Sequence, residues 1–366
     1  MIEEFIMNLY QLLIKPLLFS LDPETSHELV IKLGKLAEFS PIRSCLSSMY
    51  SFSDPRLEVQ VAGLSFPNPV GLAAGVDKSC RAIHMFSALG PGAIEIGVIS
   101  AKPQPGNERP RIYRFPEQSA LINRMGNPNI GADAAQVRLQ WLRESTKRAN
   151  ITLPPIGLNI GKTTVTPIEE AAGDCAYTLS KLGEFVDYII INVSCPNVTD
   201  YSKLQERSAL TDLLKALNEA NKFKRKIFVK LAPDLTEEQS DEALSVCSEQ
   251  NIAGIIATNT SLARDGLPSS APSQGGMSGK PLFPKSLSTV KFLAQKINGK
   301  FPLIGVGGIA NADDVISMMK AGACMVELYT ALIYQGPSLI KKIKMDLLTQ
   351  MDRDGVRTVS EYIGAT

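Results

Sequence analysis

The chain has 366 residues, of which 44% are hydrophobic, and it carries a formal net charge of +1. This length and composition allow a large buried core, and a near-neutral charge without blocks of like charge argues against a nucleic acid partner. The six cysteines form no CxxC pair, which argues against structural zinc and iron–sulfur clusters. Neither of the two histidines, His27 and His84, follows a candidate strand, so proton transfer is expected from another residue type.

The first 50 residues predict an N-terminal extension of two helices. Apolar residues from Phe5 to Leu18 form one face that is broken at Pro16, and a second helix is expected to begin at Asp22-Pro23. The two helices either pack as a cap on the rest of the chain or lie in a membrane interface and admit a lipophilic ligand. No apolar run reaches the roughly 18 residues of a membrane span, and the N-terminus lacks the pattern of a cleavable signal peptide.

The rest of the chain predicts a (β/α)8 barrel. Two short runs, Leu57–Val61 and Leu64–Phe66, predict a hairpin that closes the barrel floor. Eight apolar runs then alternate with helical patterns: Pro69–Val76, Ala93–Val98, Ile156–Ile160, Tyr188–Val193, Ile227–Leu231, Gly254–Thr258, Leu303–Val306 and Met325–Leu328. The clearest helical patterns are Pro167–Leu182, Thr236–Glu249, Pro284–Ile297 and Asn311–Ala321. A doubly wound sheet is the alternative, but it would place its glycine-rich phosphate loop after the first strand.

The fourth run ends in Asn192-Val193-Ser194-Cys195-Pro196-Asn197. The carboxyl ends of barrel strands face the active site, so this segment places a thiol between two amides where chemistry is expected. Such a set is suited to holding a polar, planar substrate and moving a proton. The structural alternative is a strand end followed by an asparagine-rich turn.

Amides and lysines recur at several strand ends. Asparagines stand at positions 123, 159, 192, 197 and 259, and an amide offers donors and an acceptor together, which suits an imide or urea edge. Lys78 and Lys162 follow the first and third strands. Lys230 lies within the fifth strand, where burial would require an anion or an electron-rich ring as partner, unless the side chain reaches solvent.

Two glycine-rich segments are candidates for anion binding. Gly305-Val306-Gly307-Gly308-Ile309 ends the seventh strand, and its backbone amides are open to a phosphate group, although a structural turn also favours glycine. Gly275–Lys280 either supplies further amides and a hydroxyl or forms a plain flexible loop.

From about Asp22 to Pro337, the chain resembles dihydroorotate dehydrogenases, the flavin enzymes of pyrimidine synthesis. The matching stretches are Asp22-Pro23-Glu24 with His27, GLAAGVDK, KPQPGNERPRIYRFPE, INRMG, NVSCPN, VKLAPDLT, TNTS, GGMSGKPL, GVGGI and LYTALIYQGP. The N-terminal helices and KPQPGN resemble the membrane-associated, quinone-using class. The resemblance implies residues 1–50 as a membrane-associating extension that gives quinone access, and residues 51–366 as a barrel with non-covalent FMN.

The resemblance also implies roles for individual residues. Orotate would be bound by Lys78, Asn123, Asn192, Asn197, Asn259 and Thr260. FMN would be held by Ala73, Ala74, Gly75, Asn159, Asn192, Lys230, Thr258, Ser278, Gly279, Gly307, Gly308, Tyr329 and Thr330. Arg114 and Tyr329 would lie near the quinone, which would be ubiquinone or menaquinone. The protein would be peripheral, on the cytoplasmic face of the cell membrane, and would bind no nucleic acid.

Cys195 would be the catalytic base, although the quinone class usually has serine at this position. A thiol titrates near ~8.5, so the rate is expected to rise more steeply with pH than in a serine variant. Val98, Met125, Asn127 and Val198 also depart from the usual residues around the substrate. They leave open a paralogue that acts on a different dihydropyrimidine or cyclic amide. An RNA-modifying flavoprotein of the dihydrouridine synthase type, which shares a barrel, FMN and a cysteine, and a flavoprotein without turnover also stay open.

Overall fold

The computed structural model describes residues 9–194, Asn197 and residues 201–365. The strands in this part of the chain are β1 (Val59–Val61), β2 (Leu64–Phe66), β3 (Val70–Asp77), β4 (Ile94–Ile99), β5 (Ile112–Phe115), β6 (Ala120–Asn123), β7 (Ile156–Ile160), β8 (Tyr188–Asn192), β9 (Lys226–Leu231), β10 (Gly254–Ala257), β11 (Gly276–Gly279), β12 (Leu303–Val306) and β13 (Met325–Leu328). The α-helices are α1 (Lys15–Ser20), α2 (Pro23–Gly34), α3 (Ser40–Tyr50), α4 (Ile83–Ala88), α5 (Gly131–Arg148), α6 (Ala171–Leu182), α7 (Arg207–Ala220), α8 (Glu237–Glu249), α9 (Phe283–Ile297), α10 (Ala312–Lys320), α11 (Thr330–Gln335) and α12 (Leu339–Asp354).

Eight strands close into a barrel in the order β3, β4, β7, β8, β9, β10, β12 and β13, which pairs back with β3. All eight pairings are parallel. The predicted (β/α)8 barrel is therefore confirmed, and the doubly wound alternative is wrong. Each of the eight predicted runs matches a barrel strand to within one residue at either end. The match is close because strands covered on both faces are apolar along their whole length.

Aromatic rings fill the lower part of the barrel. Tyr188 of β8 packs edge to face against Phe228 of β9, with ring centroids 5.7 Å apart. Phe66 of the β1–β2 hairpin packs against the other side of Tyr188 at 6.0 Å. Phe66 is buried, and Tyr188 is the first residue of its strand, so the hairpin covers the amino-terminal end of the barrel as predicted.

A second, antiparallel sheet was not predicted from the sequence. In it, β6 pairs with β5 on one side and with β11 on the other. The three strands have only four residues each, and β11 follows β6 by more than 150 positions in the chain. Local periodicity over four residues is too short a signal to identify such strands.

The N-terminal extension has three α-helices in the described residues, so the predicted pair is wrong in number. The missed helix, α3, has no buried residue, although its apolar residues Ile42, Cys45, Leu46, Met49 and Tyr50 stand at helical spacing and were an available signal. Pro16 lies in the first turn of α1, directly after a π-helical turn at Tyr10–Ile14, so the helix changes type there and does not end. Helix α2 begins as predicted, because the Asp22 carboxylate accepts hydrogen bonds from the backbone of Glu24 and Thr25.

Among the described residues, no helix combines the length and the apolar character needed to cross a membrane. The N-terminal helices nevertheless expose large apolar side chains. Leu12, Leu13 and Leu17 are 71%, 63% and 64% exposed. An ion pair holds this extension to the barrel side, where the buried Glu24 carboxylate accepts hydrogen bonds from Arg111 at 2.6 and 3.0 Å.

Candidate active site

A cavity of about 1140 Å³ lies at the carboxyl ends of the barrel strands and continues beneath the N-terminal helices. At one end it is bordered by residues of the strand ends, such as Asn159, Asn192 and Gly307. At the other end it is bordered by apolar side chains of α1 and α2, such as Leu18 and Val30. The cavity thus connects a polar chamber in the barrel to an apolar region under the extension.

Every described residue to which the family resemblance assigns a role borders this cavity. These residues are Ala73, Ala74, Gly75, Lys78, Arg114, Asn123, Asn159, Asn192, Asn197, Lys230, Thr258, Asn259, Thr260, Ser278, Gly279, Gly307, Gly308, Tyr329 and Thr330. Val98, Met125 and Asn127 border it as well. Cys195 and Val198 lie outside the described residues. The individual roles of all these residues remain predictions.

Four amides from separate elements meet in two hydrogen-bonded pairs. Asn259 donates to the Asn192 side-chain oxygen at 3.2 Å and to Ser194 Oγ at 3.0 Å. Asn197 donates to the Asn123 side-chain oxygen at 3.2 Å. These contacts orient the amides while leaving further donors and acceptors free for a ligand. The arrangement is suited to a flat molecule with alternating N–H and C=O groups.

Lys78 supplies a cation beside these amides. Its Nζ donates to the Gly75 carbonyl at 2.7 Å, in the turn that follows β3. Burial lowers the pKa of Lys78 to about 8, although Glu24 and Glu28 act in the opposite direction. An ammonium that is partly desolvated in this way is suited to binding a carboxylate group of a ligand. Lys162, by contrast, donates to backbone carbonyls of its own loop, including that of Thr166 at 2.6 Å.

The loop after β12 requires glycine at two positions. Gly307 and Gly308 have φ values of +122° and +76°, in the region that other residues rarely adopt. A Cβ on Gly308 would stand 2.5 Å from the backbone nitrogen of Phe283, and one on Gly307 would stand 2.1 Å from Ser286 Oγ. The loop therefore packs directly on the first turn of α9 and presents bare backbone to the cavity. This geometry fits a phosphate group.

The wall between the phosphate loop and the amides fits a flavin ring. Asn159 is fully buried on β7, yet neither its side-chain nitrogen nor its oxygen has a hydrogen-bond partner in the described residues. Buried polar atoms are almost always paired, so this amide is arranged for a ligand with both a donor and an acceptor on its edge. Lys230 borders the same part of the cavity. The residues present therefore fit a planar cofactor that carries a phosphate.

Two carboxyl groups that the sequence reasoning missed, those of Glu95 and Glu327, lie against Lys230. Its Nζ is 3.0 Å from Glu95 Oε2 and 3.5 Å from Glu327 Oε2. The prediction that Lys230 meets an anion is thus confirmed, and the alternative that it reaches solvent is wrong. Burial acts to lower the pKa of Lys230, but its interactions with the carboxyl groups of Glu95 and Glu327 outweigh burial and raise that pKa. The sequence did contain a signal for these two residues, because each is a charged residue inside an apolar strand, as in Ile94-Glu95-Ile96.

Arg114 and His27 mark the other end of the cavity. Arg114 donates to the carbonyls of Leu18, Phe19 and Leu21 at the end of α1, and its guanidinium lies 4.5 Å from the Phe19 ring centroid. His27 of α2 borders the cavity, and burial lowers its pKa to about 3. His27 is therefore neutral at physiological pH, and its place on the cavity wall was not predicted.

Together, the closed barrel, the phosphate-type loop and the unpartnered amide beside a buried lysine define a (β/α)8-barrel enzyme that holds a planar cofactor. The sequence model of dihydroorotate dehydrogenase matches residues 56–351. The chain belongs to the dihydroorotate dehydrogenase family.

Similar proteins cover nearly the whole chain. The dihydroorotate dehydrogenase (quinone) of Christiangramia forsetii is 44% identical over 345 residues, which are 93% of this chain and 99% of that protein. The protein of the same name from Halobacterium salinarum is 39% identical over 355 residues, 96% of this chain and 99% of its own. The crystal structure of the Eimeria tenella enzyme in complex with ferulenol aligns with a TM-score of 0.87 and 33% identity, covering 94% and 95% of the two chains. These similarities favour neither a cyclic-amide paralogue nor an RNA-modifying flavoprotein.

Proposed function

We propose that the protein oxidises (S)-dihydroorotate to orotate in pyrimidine biosynthesis, with FMN as hydride acceptor and a quinone as final electron acceptor. The observation that carries the proposal is the convergence of Lys78, four amides and the unpartnered Asn159 on one cavity. The relatives are named for dihydroorotate as substrate and a quinone as acceptor. The cavity offers a lysine and amides that can bind the carboxylate and the ring of dihydroorotate.

Dihydroorotate carries a carboxylate and a ring with alternating N–H and C=O groups. Lys78 is proposed to bind the carboxylate as a charge-assisted pair. Asn123, Asn192, Asn197 and Asn259 are proposed to hold the ring edges, because their mutual hydrogen bonds already fix the direction of each amide. Thr260 is proposed to complete this set, and its backbone N–H is already fixed by the Asn259 side chain at 2.8 Å.

The reaction removes a proton from carbon five and a hydride from carbon six of the substrate. Cys195 is proposed as the base for the proton. The described residues around it are anchored on both sides: Ser194 Oγ donates to the Lys230 carbonyl at 2.8 Å, and Asn197 is bonded to Asn123. These contacts restrain both ends of the segment that carries the thiol.

Cys195→Ser tests the base directly. Because a thiol titrates near ~8.5 and an alcohol far higher, the rate of flavin reduction in the wild type should rise more steeply between pH 6 and 9. Stopped-flow flavin bleaching at a series of pH values measures this rise. A wild-type profile no steeper than that of the serine variant overturns the assignment.

FMN is proposed to lie across the strand ends. Gly307, Gly308, Tyr329 and Thr330 would hold its phosphate, while Ala73, Ala74, Gly75, Asn159, Asn192, Lys230, Thr258, Ser278 and Gly279 would line the ring and its chain. When bound, FMN supplies the two-electron acceptor for the hydride. The chain's own part is to orient the ring: Thr330 Oγ1 donates a hydrogen bond to Ser278 Oγ at 2.9 Å, and Asn159 offers its unpartnered amide.

The N-terminal extension, residues 1–50, is proposed to bring the quinone from the membrane, with residues 51–366 as the catalytic barrel. The exposed leucines of the Tyr10–Ile14 turn and α1 would enter the interface of the cytoplasmic leaflet, and Leu18 and Val30 border the cavity below them. Ubiquinone or menaquinone would then approach through this apolar end, with Arg114 and Tyr329 nearby.

The first test is anaerobic addition of L-dihydroorotate to the purified holoprotein, followed by a quinone. Prompt bleaching of a bound flavin and its return with quinone are the expected results. A different result is a bound flavin that stays oxidised with dihydroorotate from pH 6 to 9 but bleaches with a different dihydropyrimidine. It would mean that Val98, Met125 and Asn127 adapt the site to that other substrate.

A further inference from the structure

The barrel interior holds a cluster of three ionisable side chains from three strands: Glu95 of β4, Lys230 of β9 and Glu327 of β13. Glu95 and Glu327 are 0% exposed and Lys230 is 4% exposed. The proposed reaction assigns no role to either carboxyl group. We call this set the Glu–Lys–Glu cluster.

The charges of the cluster do not balance if all three groups are ionised. Two carboxylates and one ammonium would leave a net negative charge in the barrel interior, where water is excluded. An isolated buried charge is so unfavourable that such a group normally changes its protonation state. One of the two carboxyl groups is therefore expected to hold a proton.

The hydrogen bonds identify which carboxyl group is neutral. Glu95 Oε2 accepts from Lys230 Nζ at 3.0 Å and from the backbone N–H of Ala74 at 3.1 Å, and two such donors stabilise a carboxylate. Neither oxygen of Glu327 accepts a hydrogen bond in the described residues. Glu95 Oε1 also lacks a donor. The two carboxyl groups are neighbours, because both lie against Lys230 Nζ, at 3.0 and 3.5 Å. A proton on Glu327 gives Glu95 the missing donor.

The groups that face Glu327 from the surrounding strands agree with this assignment. Burial raises the pKa of Glu327 well above its usual value, the charge of Glu95 raises it further, and Lys230 opposes both. The other titratable neighbour is Tyr188 of β8, whose hydroxyl is buried without a partner and whose pKa is raised by burial and by Glu327 and Glu95. Tyr188 is thus a neutral phenol and does not change the charge balance of the cluster.

We propose that Glu327 is a neutral carboxylic acid that shares its proton with the Glu95 carboxylate, and that the pair positions Lys230 as a charge-balanced ammonium at the cavity wall. Glu95 reaches the cavity wall twice, through Lys230 and through the N–H of Ala74, a residue that also borders the cavity. Glu95 and Glu327 are therefore positioning residues. The consequence for flavin binding rests on the proposed function, whereas the protonation state does not.

The protonation state is tested by thermal unfolding of the holoprotein and its Glu327→Gln variant. Glutamine copies a neutral acid, so at pH 5, where the wild type keeps this proton at little cost, the variant should unfold within about 2 °C of the wild type. If Glu327 were instead an ionised partner of Lys230, its removal would break a buried ion pair and lower the unfolding temperature by more than about 5 °C.

The difference in unfolding temperature between Glu327→Gln and the wild type is expected to change with pH in one direction. A carboxyl group with a raised folded-state pKa contributes stability that is complete below its ordinary pKa and is lost as pH rises through the folded-state pKa. The unfolding temperature of Glu327→Gln relative to the wild type should therefore rise steadily from pH 5 to pH 9. Glu242→Gln, an exposed glutamate on α8, is the matched control and should show no such trend. A gap that stays constant or narrows overturns the proposal.

Infrared spectroscopy provides a second measurement that depends on no stability change. The carbonyl band of a protonated carboxylic acid should be present at pH 7 in the wild type and in Glu242→Gln and absent in Glu327→Gln. A wild type without this band overturns the neutral assignment, even if one of the variants fails to fold.

The positioning role is tested by the dissociation constant of FMN, measured by flavin fluorescence. Glu95→Gln removes the carboxylate that accepts from both Lys230 Nζ and the Ala74 N–H, and it should weaken binding at least about tenfold, whereas Glu327→Gln should change it less than about threefold. Equal affinities in both variants overturn the positioning role. A preparation that binds no flavin at all would contradict the proposed function instead, and the unfolding and infrared results would still decide the protonation state.

Discussion

The strand-end chamber and the N-terminal extension offer opposite kinds of surface to a ligand, buried polar groups in the chamber and exposed apolar groups in the extension. In the chamber, charged and polar groups such as Lys230 and Asn159 are buried and held by a closed barrel. In the extension, large apolar side chains such as Leu12 and Leu17 remain exposed. A rigid frame makes the burial of charge tolerable because it orients the partners beforehand, whereas an exposed apolar surface gains its stabilisation only when something covers it.

The two regions also differ in how they are attached. The barrel strands are joined by continuous ladders of hydrogen bonds. The extension is held by side-chain contacts, among them the Glu24 pair with Arg111, the Glu28 pair with Arg81 and the hydrogen bonds from Arg114 to the end of α1. Changes in the chamber should therefore alter binding and chemistry by large factors, and changes in the extension should alter access to the acceptor by smaller ones.

The largest effect is expected for Lys78→Ala. Loss of the cation proposed to pair with the substrate carboxylate should lower kcat/KM for flavin reduction on the order of 10³-fold, because removing one partner of a buried charge pair costs about 2–5 kcal/mol. Lys300→Ala, an exposed lysine after α9, is the control and should leave kcat/KM unchanged. A loss of less than about tenfold at Lys78 would contradict the idea that the chamber binds through buried charge.

The phosphate loop gives the next effect, through Gly308→Ala. The new methyl group would meet the backbone of Phe283, and the +76° φ angle adds strain, so we expect at least a tenfold loss of FMN affinity. Gly299→Ala is a close control, because Gly299 has the same φ of +76° but no atom within 4 Å of the added Cβ. It should cost only about 1 kcal/mol of stability and no affinity. Equal flavin loss in both variants would mean that strain alone, and not the packed loop, matters.

In the extension, Leu12, Leu13 and Leu17 are replaced together by glutamine. Binding to lipid vesicles, measured by sedimentation, should fall at least about tenfold, since interfacial binding scales with buried apolar area. The control replaces three exposed apolar residues of the barrel, Val137, Val165 and Leu262, which are 69%, 81% and 55% exposed. If both triple variants lose vesicle binding equally, the extension has no special part in membrane contact.

The smallest effect is expected for Asp22→Ala, which removes the cap of α2. We expect a loss of about 1 kcal/mol of stability and a measurable rise in the KM for quinone, with flavin reduction by dihydroorotate unchanged. Thr236→Ala removes the corresponding cap of α8, where Thr236 accepts a hydrogen bond from the Gln239 backbone at 3.2 Å. This control should lose similar stability without a change in quinone kinetics. A quinone effect in both variants would show that the two regions are not separable.

The sequence alone determined the barrel and much of its rim. Strands covered on both faces are continuous apolar runs, so β7, β12 and β13 could be delimited residue by residue, and a glycine pair at a strand end marks the phosphate-type loop. The sequence reasoning missed α3, although its apolar residues stand at helical spacing, and it missed the sheet formed by β5, β6 and β11. Only the tertiary structure decided that sheet, because strands of four residues give too short a signal along the chain.

The Glu–Lys–Glu cluster shows this limit most clearly. Glu95 and Lys230 are 135 positions apart and meet only because the barrel closes. In the sequence, each of the two is a single charged residue inside an apolar run, and no local feature indicates which residue is its partner. The sequence determined which residues lie inside, through the free energy of burying apolar surface. The tertiary structure decided which buried charges face one another, because that depends on the register and curvature of strands far apart in the chain.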